Sequence, residues 1–325
     1  MKTVKLHFVG FWIGFENNNN MFYNILKKRY NVVLDDKDPD FLICSPLGTP
    51  FEYMKYDCPR IMYTGEPLSA DFNAVDYFIG FDDVSFADRS FRFPLFLYNN
   101  DCIHPSAKPL TRDEAAKELK SKEYFCNYIY GHNDRLGVRE KMLEALSAYK
   151  HVVCAGSHHN NMPGGERVNI ENKFTLMSKC KFSIAVESIR YPGFTSEKIA
   201  HAFRTRTVPI YFGDPDVAKC FNEDAFINYA SFDSAQAMAQ RVMQIDQDDE
   251  LYIEMLCQNR YVVEEYETKM AEDLAQYLYH IFDQDKEEAY RRPRFFRAEH
   301  HENYLKEFNR TQTALPHRIL RKLKL

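Results

Sequence analysis

The chain has no excess of positive charge. Its 42 Lys and Arg stand against 47 Asp and Glu, a formal balance of −5 at pH 7. It therefore lacks the basic footprint with which proteins neutralise a nucleic-acid backbone. No apolar run approaches the ~20 residues that a membrane-spanning helix needs. The opening segment MKTVKLHFVGFWIGF is apolar, but His7 interrupts it and no small-residue cleavage pattern follows, so it reads as a first strand and not as a signal peptide. Eight cysteines are scattered singly with no CxxC pair, which predicts reduced packing residues in a cytoplasm. GxxxxGK(S/T) and GxGxxG are both absent, which removes the P-loop and dinucleotide readings, and there is no internal repeat.

What is present is a two-domain length, 325 residues, with strand and helix patterns in alternation, the mark of α/β folds. Strands are predicted at 4–9, 31–34, 41–45, 60–63, 76–81 and 89–97, with a helix over 21–29. Residues 101–121, with prolines, many charges and a helix over 112–119, read as the connection between domains. A second series follows: strand 123–130, helix 135–149, strand 151–155, then helices over 234–244, 249–259 and 266–282. The boundaries are thus 1–105, a connection 106–121, a second domain 122–285, and a helical region with a basic tail over 286–325.

The most informative stretch is FSIAVESIRYPGFTSEKIAHAFRTRTVPIYFGD, residues 182–214. Lys181–Glu187 is short and rich in Ile, Val and Phe, as buried parallel strands are. Pro192 and Gly193 interrupt it, Thr195 and Ser196 offer capping hydroxyls, and a helix follows with Ile199, Ala202 and Phe203 on one stripe. Val208–Phe212 returns as a strand. In such a unit the carboxyl end of the first strand and the amino end of the helix share the edge where open α/β sheets bind ligands. Glu187, Ser188, Glu197 and Lys198 lie there, a cation and hydrogen-bond acceptors beside a helix dipole that favours anions. Taken singly, Glu197 and Lys198 are ordinary helix-surface residues; the ordered string is what carries weight.

Other candidates are weaker taken alone. Glu66 follows an apolar strand beside Gly65 in MYTGE, Trp12 follows the first strand, and Arg139 lies near the start of a helix with no acid three or four residues on to pair with it. Asp82-Asp83 has the wrong spacing for a DxD metal motif and reads as a turn. His158-His159 invites a zinc site, but no second ligand cluster lies at suitable spacing, so the pair reads as a polar loop.

The strand-end acid, the Gly-Phe-Thr-Ser-Glu-Lys-Ile segment, the helix leading into VPIYFGD, and MYTGE upstream together resemble the α-1,3/1,4-fucosyltransferases, glycosyltransferase family 10. The resemblance implies an α/β GT-B fold, two facing Rossmann-like domains with a central cleft. It implies an inverting enzyme that moves L-fucose from GDP-β-L-fucose to the 3-OH of GlcNAc in N-acetyllactosamine-type acceptors, giving a Lewis x type product. Glu66 is then the catalytic base; Arg139, Glu187, Ser188, Phe194, Glu197 and Lys198 hold the donor; Trp12, Asp71 and Asn73 face the acceptor. No cofactor or essential metal is implied. Ser188 replaces a common Asn and Phe194 a frequent Tyr, and Phe194 cannot donate a hydrogen bond. The alternatives are a GT-B transferase for another nucleotide sugar and a non-catalytic sugar or nucleotide binder. The tail HRILRKLKL fits equally a helix lying on an anionic membrane, which would place the protein peripherally on the inner face of the cytoplasmic membrane, and a solvated terminus.

Overall fold

The computed structural model describes residues 1–98 and 108–314; the basic tail and the start of the predicted connection, 101–107, lie outside them. Two compact units result, residues 1–103 with 267–325, and residues 104–266.

The first unit carries strands β1 (Thr3–Val9), β2 (Asn31–Leu34), β3 (Phe41–Cys44), β4 (Arg60–Tyr63), β5 (Tyr77–Gly80) and β6 (Ser90–Arg92), with helix α1 (Met21–Leu26). They form one parallel sheet in the order β2-β1-β3-β4-β5-β6. Strands β3, β4 and β5 are buried at every residue, which is why they read as short runs that are apolar apart from Arg60. The predicted strand over 89–97 is cut to β6 and a turn of 3₁₀ helix, Leu95–Leu97, because Pro94 has no N–H to continue a ladder.

The second unit carries helix α2 (Arg112–Lys120), strand β7 (Tyr124–Tyr128), helix α3 (Val138–Ser147), strand β8 (Val152–Cys154), helix α4 (Ile170–Ser178), strand β9 (Cys180–Val186), helix α5 (Glu197–Arg204), strands β10 (Val208–Phe212) and β11 (Ile227–Asn228), and helices α6 (Ala235–Gln247) and α7 (Asp249–Cys257). Its sheet is again parallel, in the order β11-β10-β9-β7-β8. Helix α2 belongs to this unit and not to a linker: Leu110 and Ala115 join one apolar core with Ile253 and Leu256. Helix α4 has no counterpart among the predicted elements, since of its described apolar residues only Leu176 and Met177 are buried, too few to make a periodic signal.

Helix α8 (Tyr266–Phe282), all but its first residue, and helix α9 (Arg297–Thr313) fall in the first unit, which moves the predicted second-domain end from 285 to 266. Side chains explain the move. The Phe282 ring lies 4.5 Å from that of Phe41, and buried Asp76 accepts the backbone N–H groups of Arg60, Arg291 and Arg292 at 2.8, 2.8 and 2.9 Å and pairs with the Arg292 guanidinium. Arg60 in turn reaches Glu302 on α9 at 2.9 Å.

Burial alone would raise the Glu302 carboxyl, but Arg60, Lys306 and Arg292 outweigh it and bring its pKa to about 2, against an ordinary 4.5. A depressed folded-state pKa contributes stability that is present above the unfolded value and is lost as the pH falls through the folded one. The urea midpoint of the protein is therefore expected to drop between pH 4.5 and 2, and Glu302→Gln is expected to flatten that part of the profile. The contribution is on the order of 3 kcal/mol at 1.36 kcal/mol per unit; identical slopes in the two proteins would refute it.

Candidate active site

In the second sheet the chain runs from β7 to β8 on one side and then to β9 on the other, so the strand order reverses at β7 and β9, where open α/β sheets place their ligands. Arg139 bridges that point. It is the second residue of α3 and is 2 % exposed. One terminal nitrogen donates to His132 O beyond β7 at 2.7 Å, and the other to Val186 O at the end of β9 at 2.9 Å. Its guanidinium lies 4.0 Å from the centre of the Tyr130 ring. The Tyr130 hydroxyl donates to Ile184 O and accepts from Val186 N. Arg139 is thus buried, with both terminal nitrogens donating to backbone carbonyls.

At the amino end of α5, Lys198 Nζ lies 3.0 Å from Glu187 Oε2, 2.7 Å from Ser196 Oγ and 3.8 Å from Glu197 Oε1. Burial works to lower this ammonium's pKa, but the Glu187 and Glu197 charges more than offset it. The net shift is upward despite the opposing effect of Arg139, so Lys198 is charged at neutral pH. Burial likewise acts to raise Glu197, and Lys198, His201 and Lys173 hold it lower. Lys173, on α4, was not foreseen; its Nζ lies 3.2 Å from His201 Nδ1, and burial depresses it. No sequence signal marks it, because it reaches the site from a different helix.

Two more of the predicted donor-site residues are buried. Glu187 is 2 % exposed; its carboxylate accepts from Ser196 N at 2.8 Å and from the Ser196 hydroxyl at 2.6 Å, besides Lys198. It is packed so closely that a Cβ on Gly213 would stand 2.3 Å from its Cγ. Glu187 therefore positions Lys198 and the start of α5 and is sealed from solvent. Phe194 is 3 % exposed and packs inward, while Ser188 stays half-buried at the rim. The capping hydroxyls are also used differently. The Ser196 hydroxyl caps no backbone N–H of α5, and Thr195 donates to Asp214 at 2.9 Å, which also accepts from Gly193 N at 2.7 Å. Asp214 holds the loop after β9, and its strand-end position beside Gly213 was the legible signal.

In the first unit, the strand order reverses at β1 and β3. There Gly10, at φ +80, lies where a Cβ would meet Ser45 O at 2.1 Å, a backbone approach only glycine permits. Trp12 follows it, 37 % exposed. Its ring meets Tyr98 edge-on at 5.2 Å, and Tyr98 stacks on Tyr63, the last residue of β4, at 5.3 Å. A cavity of about 190 Å³ opens beside Trp12, lined also by Phe15, Glu16, Asn20 and Tyr98. Glu66 is exposed three residues beyond β4, in a turn where its N–H donates to Thr64 Oγ1 at 3.0 Å. Trp12 and Glu66 thus share one edge of this sheet. Asp71 and Asn73 do not: they form a turn before β5, with Asp71 accepting from Asn73 N at 3.0 Å and lying 3.7 Å from His301 of α9. That is the amino-terminal edge, because parallel strands return the chain to the opposite end.

Two parallel α/β units with switch-point sites define the GT-B class of architecture. Family models match both units: the α-(1,3)-fucosyltransferase FucT N-terminal domain over residues 6–99, and the C-terminal part of glycosyltransferase family 10 (fucosyltransferase) over 119–273. The chain belongs to glycosyltransferase family 10. It is 28 % identical over 278 residues to the α-(1,3)-fucosyltransferase FucT of Helicobacter pylori, covering 75 % of this chain and 57 % of that protein. It is 25 % identical over 138 residues to human 4-galactosyl-N-acetylglucosaminide 3-α-L-fucosyltransferase 9, covering 42 % and 37 %. A crystal structure of an α1,3-fucosyltransferase superposes with a TM-score of 0.68 at 25 % identity, covering 85 % of this chain and 90 % of that one. The chain thus spans only about half of the Helicobacter protein and a little over a third of the human one.

Proposed function

We propose that this protein is an inverting α-1,3-fucosyltransferase that moves L-fucose from GDP-β-L-fucose to the 3-OH of GlcNAc in N-acetyllactosamine-type acceptors. The observation that carries the reading is the charged cluster at the β9–α5 junction, with Lys198 held cationic by Glu187 and Glu197 at the amino end of a helix. Such a cluster suits a diphosphate that gathers charge as it leaves. Glu197 accepts hydrogen bonds from ribose or fucose hydroxyls, and Arg139 braces the junction from beneath. The acceptor hydroxyl attacks the anomeric carbon opposite GDP, the carbon–oxygen bond to phosphate breaks, and the proton passes to Glu66. The Trp12 cavity supplies an aromatic face for the acceptor sugar. Aspartates of a metal-binding DxD motif play no part in this scheme, and the charge of the leaving group falls on protein cations.

The reading is tested by incubating the purified protein with GDP-fucose and type 1 and type 2 disaccharides, with and without EDTA, and determining the product linkage. An α-1,3 product on the type 2 acceptor, formed at an unchanged rate in EDTA below the unfolding transition, is expected. Failure to form any fucosylated disaccharide, or equal thermal stabilisation by UDP and GDP, would overturn it. Lys198→Ala is expected to weaken GDP binding by about 10- to 100-fold, the worth of one charge-assisted hydrogen bond of ~1.5–3 kcal/mol. Titration calorimetry on folded protein checks this; unaltered affinity would remove Lys198 from the phosphate site.

A further inference from the structure

The histidine pair dismissed from sequence spacing acquires a third partner in the fold. Glu140, the residue after Arg139 on α3, reaches the loop that follows β8. His158 Nε2 lies 2.5 Å from Glu140 Oε1, and His159 Nε2 lies 2.9 and 3.0 Å from its two oxygens. All three ligand atoms fall within 4.8 Å of one another. We propose that Glu140, His158 and His159 form a binding site for a divalent transition-metal ion of the Zn²⁺ class, separate from the charged cluster at the β9–α5 junction.

Consecutive residues of an extended chain point to opposite sides, so two adjacent imidazoles do not ordinarily meet one carboxylate. Here His159 adopts the left-handed conformation, φ +62, and both rings turn onto Glu140. Non-glycine residues take that conformation uncommonly, and such outliers cluster at functional sites. The loop is fixed before any ion arrives. His158 N donates to Tyr130 O at 2.9 Å, and a Cβ on Gly156 would stand 2.0 Å from that same oxygen. A second observation is independent of the loop. The Tyr128 hydroxyl is fully buried and has no hydrogen-bond partner among the described residues. Its ring lies 5.8 Å from that of His159 and 6.3 Å from that of His158. An orphaned phenol on a ring packed against both imidazoles is the kind of outer group that orients metal ligands.

Two imidazoles and one carboxylate, each from a half-exposed side chain, match the His₂Glu donor set of zinc sites that keep a position open to solvent. Ligands about 2.0–2.1 Å from a tetrahedral ion stand roughly 3.3 Å apart, so each imidazole and the carboxylate need to open by less than about 1 Å. Imidazole donors disfavour Mg²⁺ and Ca²⁺, which prefer oxygen ligands. Bound there, the ion cross-links the β8 loop to the first turn of α3.

The test uses the tag-free full chain, stripped with chelator and titrated with Zn²⁺, Co²⁺ and Mg²⁺ while stoichiometry, affinity and melting temperature are followed. One Zn²⁺ per chain, a rise in melting temperature, a Co²⁺ spectrum without a thiolate charge-transfer band, and no response to Mg²⁺ are expected. His158→Ala and His159→Ala should each weaken Zn²⁺ binding by about 10-fold or more, as loss of even an outer partner does. Circular dichroism verifies that they fold, and Glu140→Gln serves as a third variant. Absence of Zn²⁺ binding, an equal response to Mg²⁺, a thiolate band pointing to the cysteines, or unchanged affinity in the folded variants would overturn the site.

Discussion

Glu66→Gln is expected to lower the fucosyl-transfer kcat by about 10²–10⁴-fold, the usual contribution of a positioned general base, while GDP affinity stays unchanged. The substitution keeps the shape of the side chain and removes its basicity. Glu66 is exposed, so no buried charge is stranded and the fold is preserved. It stands in the first unit while Lys198, Glu197 and Arg139 belong to the second, so nucleotide binding and proton removal separate cleanly. Steady-state kinetics with the type 2 acceptor, alongside GDP titration, measures both halves. A kcat within tenfold of the parent would strip Glu66 of its role, and a parallel loss of GDP affinity would show that the change acts through the fold.

Asp76→Ala is expected to destabilise the first unit by about 3–5 kcal/mol, the cost of removing one partner of a buried ion pair. Asp76 has no exposure, and it accepts three backbone N–H groups as well as the Arg292 guanidinium. Its removal leaves Arg292 with Glu302, 3.4 Å from Nε, as its carboxylate partner beside the Cys58 carbonyl, and leaves those N–H groups without their acceptor. A matched control is Lys55→Ala, which breaks a pair with Glu52 on the surface and should cost at most about 1 kcal/mol. Urea denaturation of the two variants decides the matter: similar losses would mean that the Asp76 network does not hold α8 and α9 to the sheet.

Much of the fold was legible because buried parallel strands write themselves as short apolar runs. Phe41–Cys44 and Arg60–Tyr63 are wholly buried in the structure and stand out in the sequence for that reason. Helix α2 is predicted but placed in the connection, since its charged face looks like a linker while its few apolar residues, Ala115, Ala116 and Leu119, decide where it packs. The second-domain boundary failed for the same kind of reason: nothing local in 286–314 reveals that Arg291 and Arg292 seek an aspartate more than 200 residues upstream.

The sequence by itself determined the strand–helix alternation, the family, and the set of groups able to do chemistry, because periodicity and ordered motifs are local properties. Only tertiary structure decided how those groups are used. It sealed Glu187 and left Glu197 beside Lys198, committed Arg139 to two carbonyls, set Asp71 and Asn73 at the far edge of the sheet from Glu66, and brought Glu140 to His158 and His159. Burial and partnership depend on which distant backbone and side chains arrive at a site, and chain separation erases that information from any local pattern.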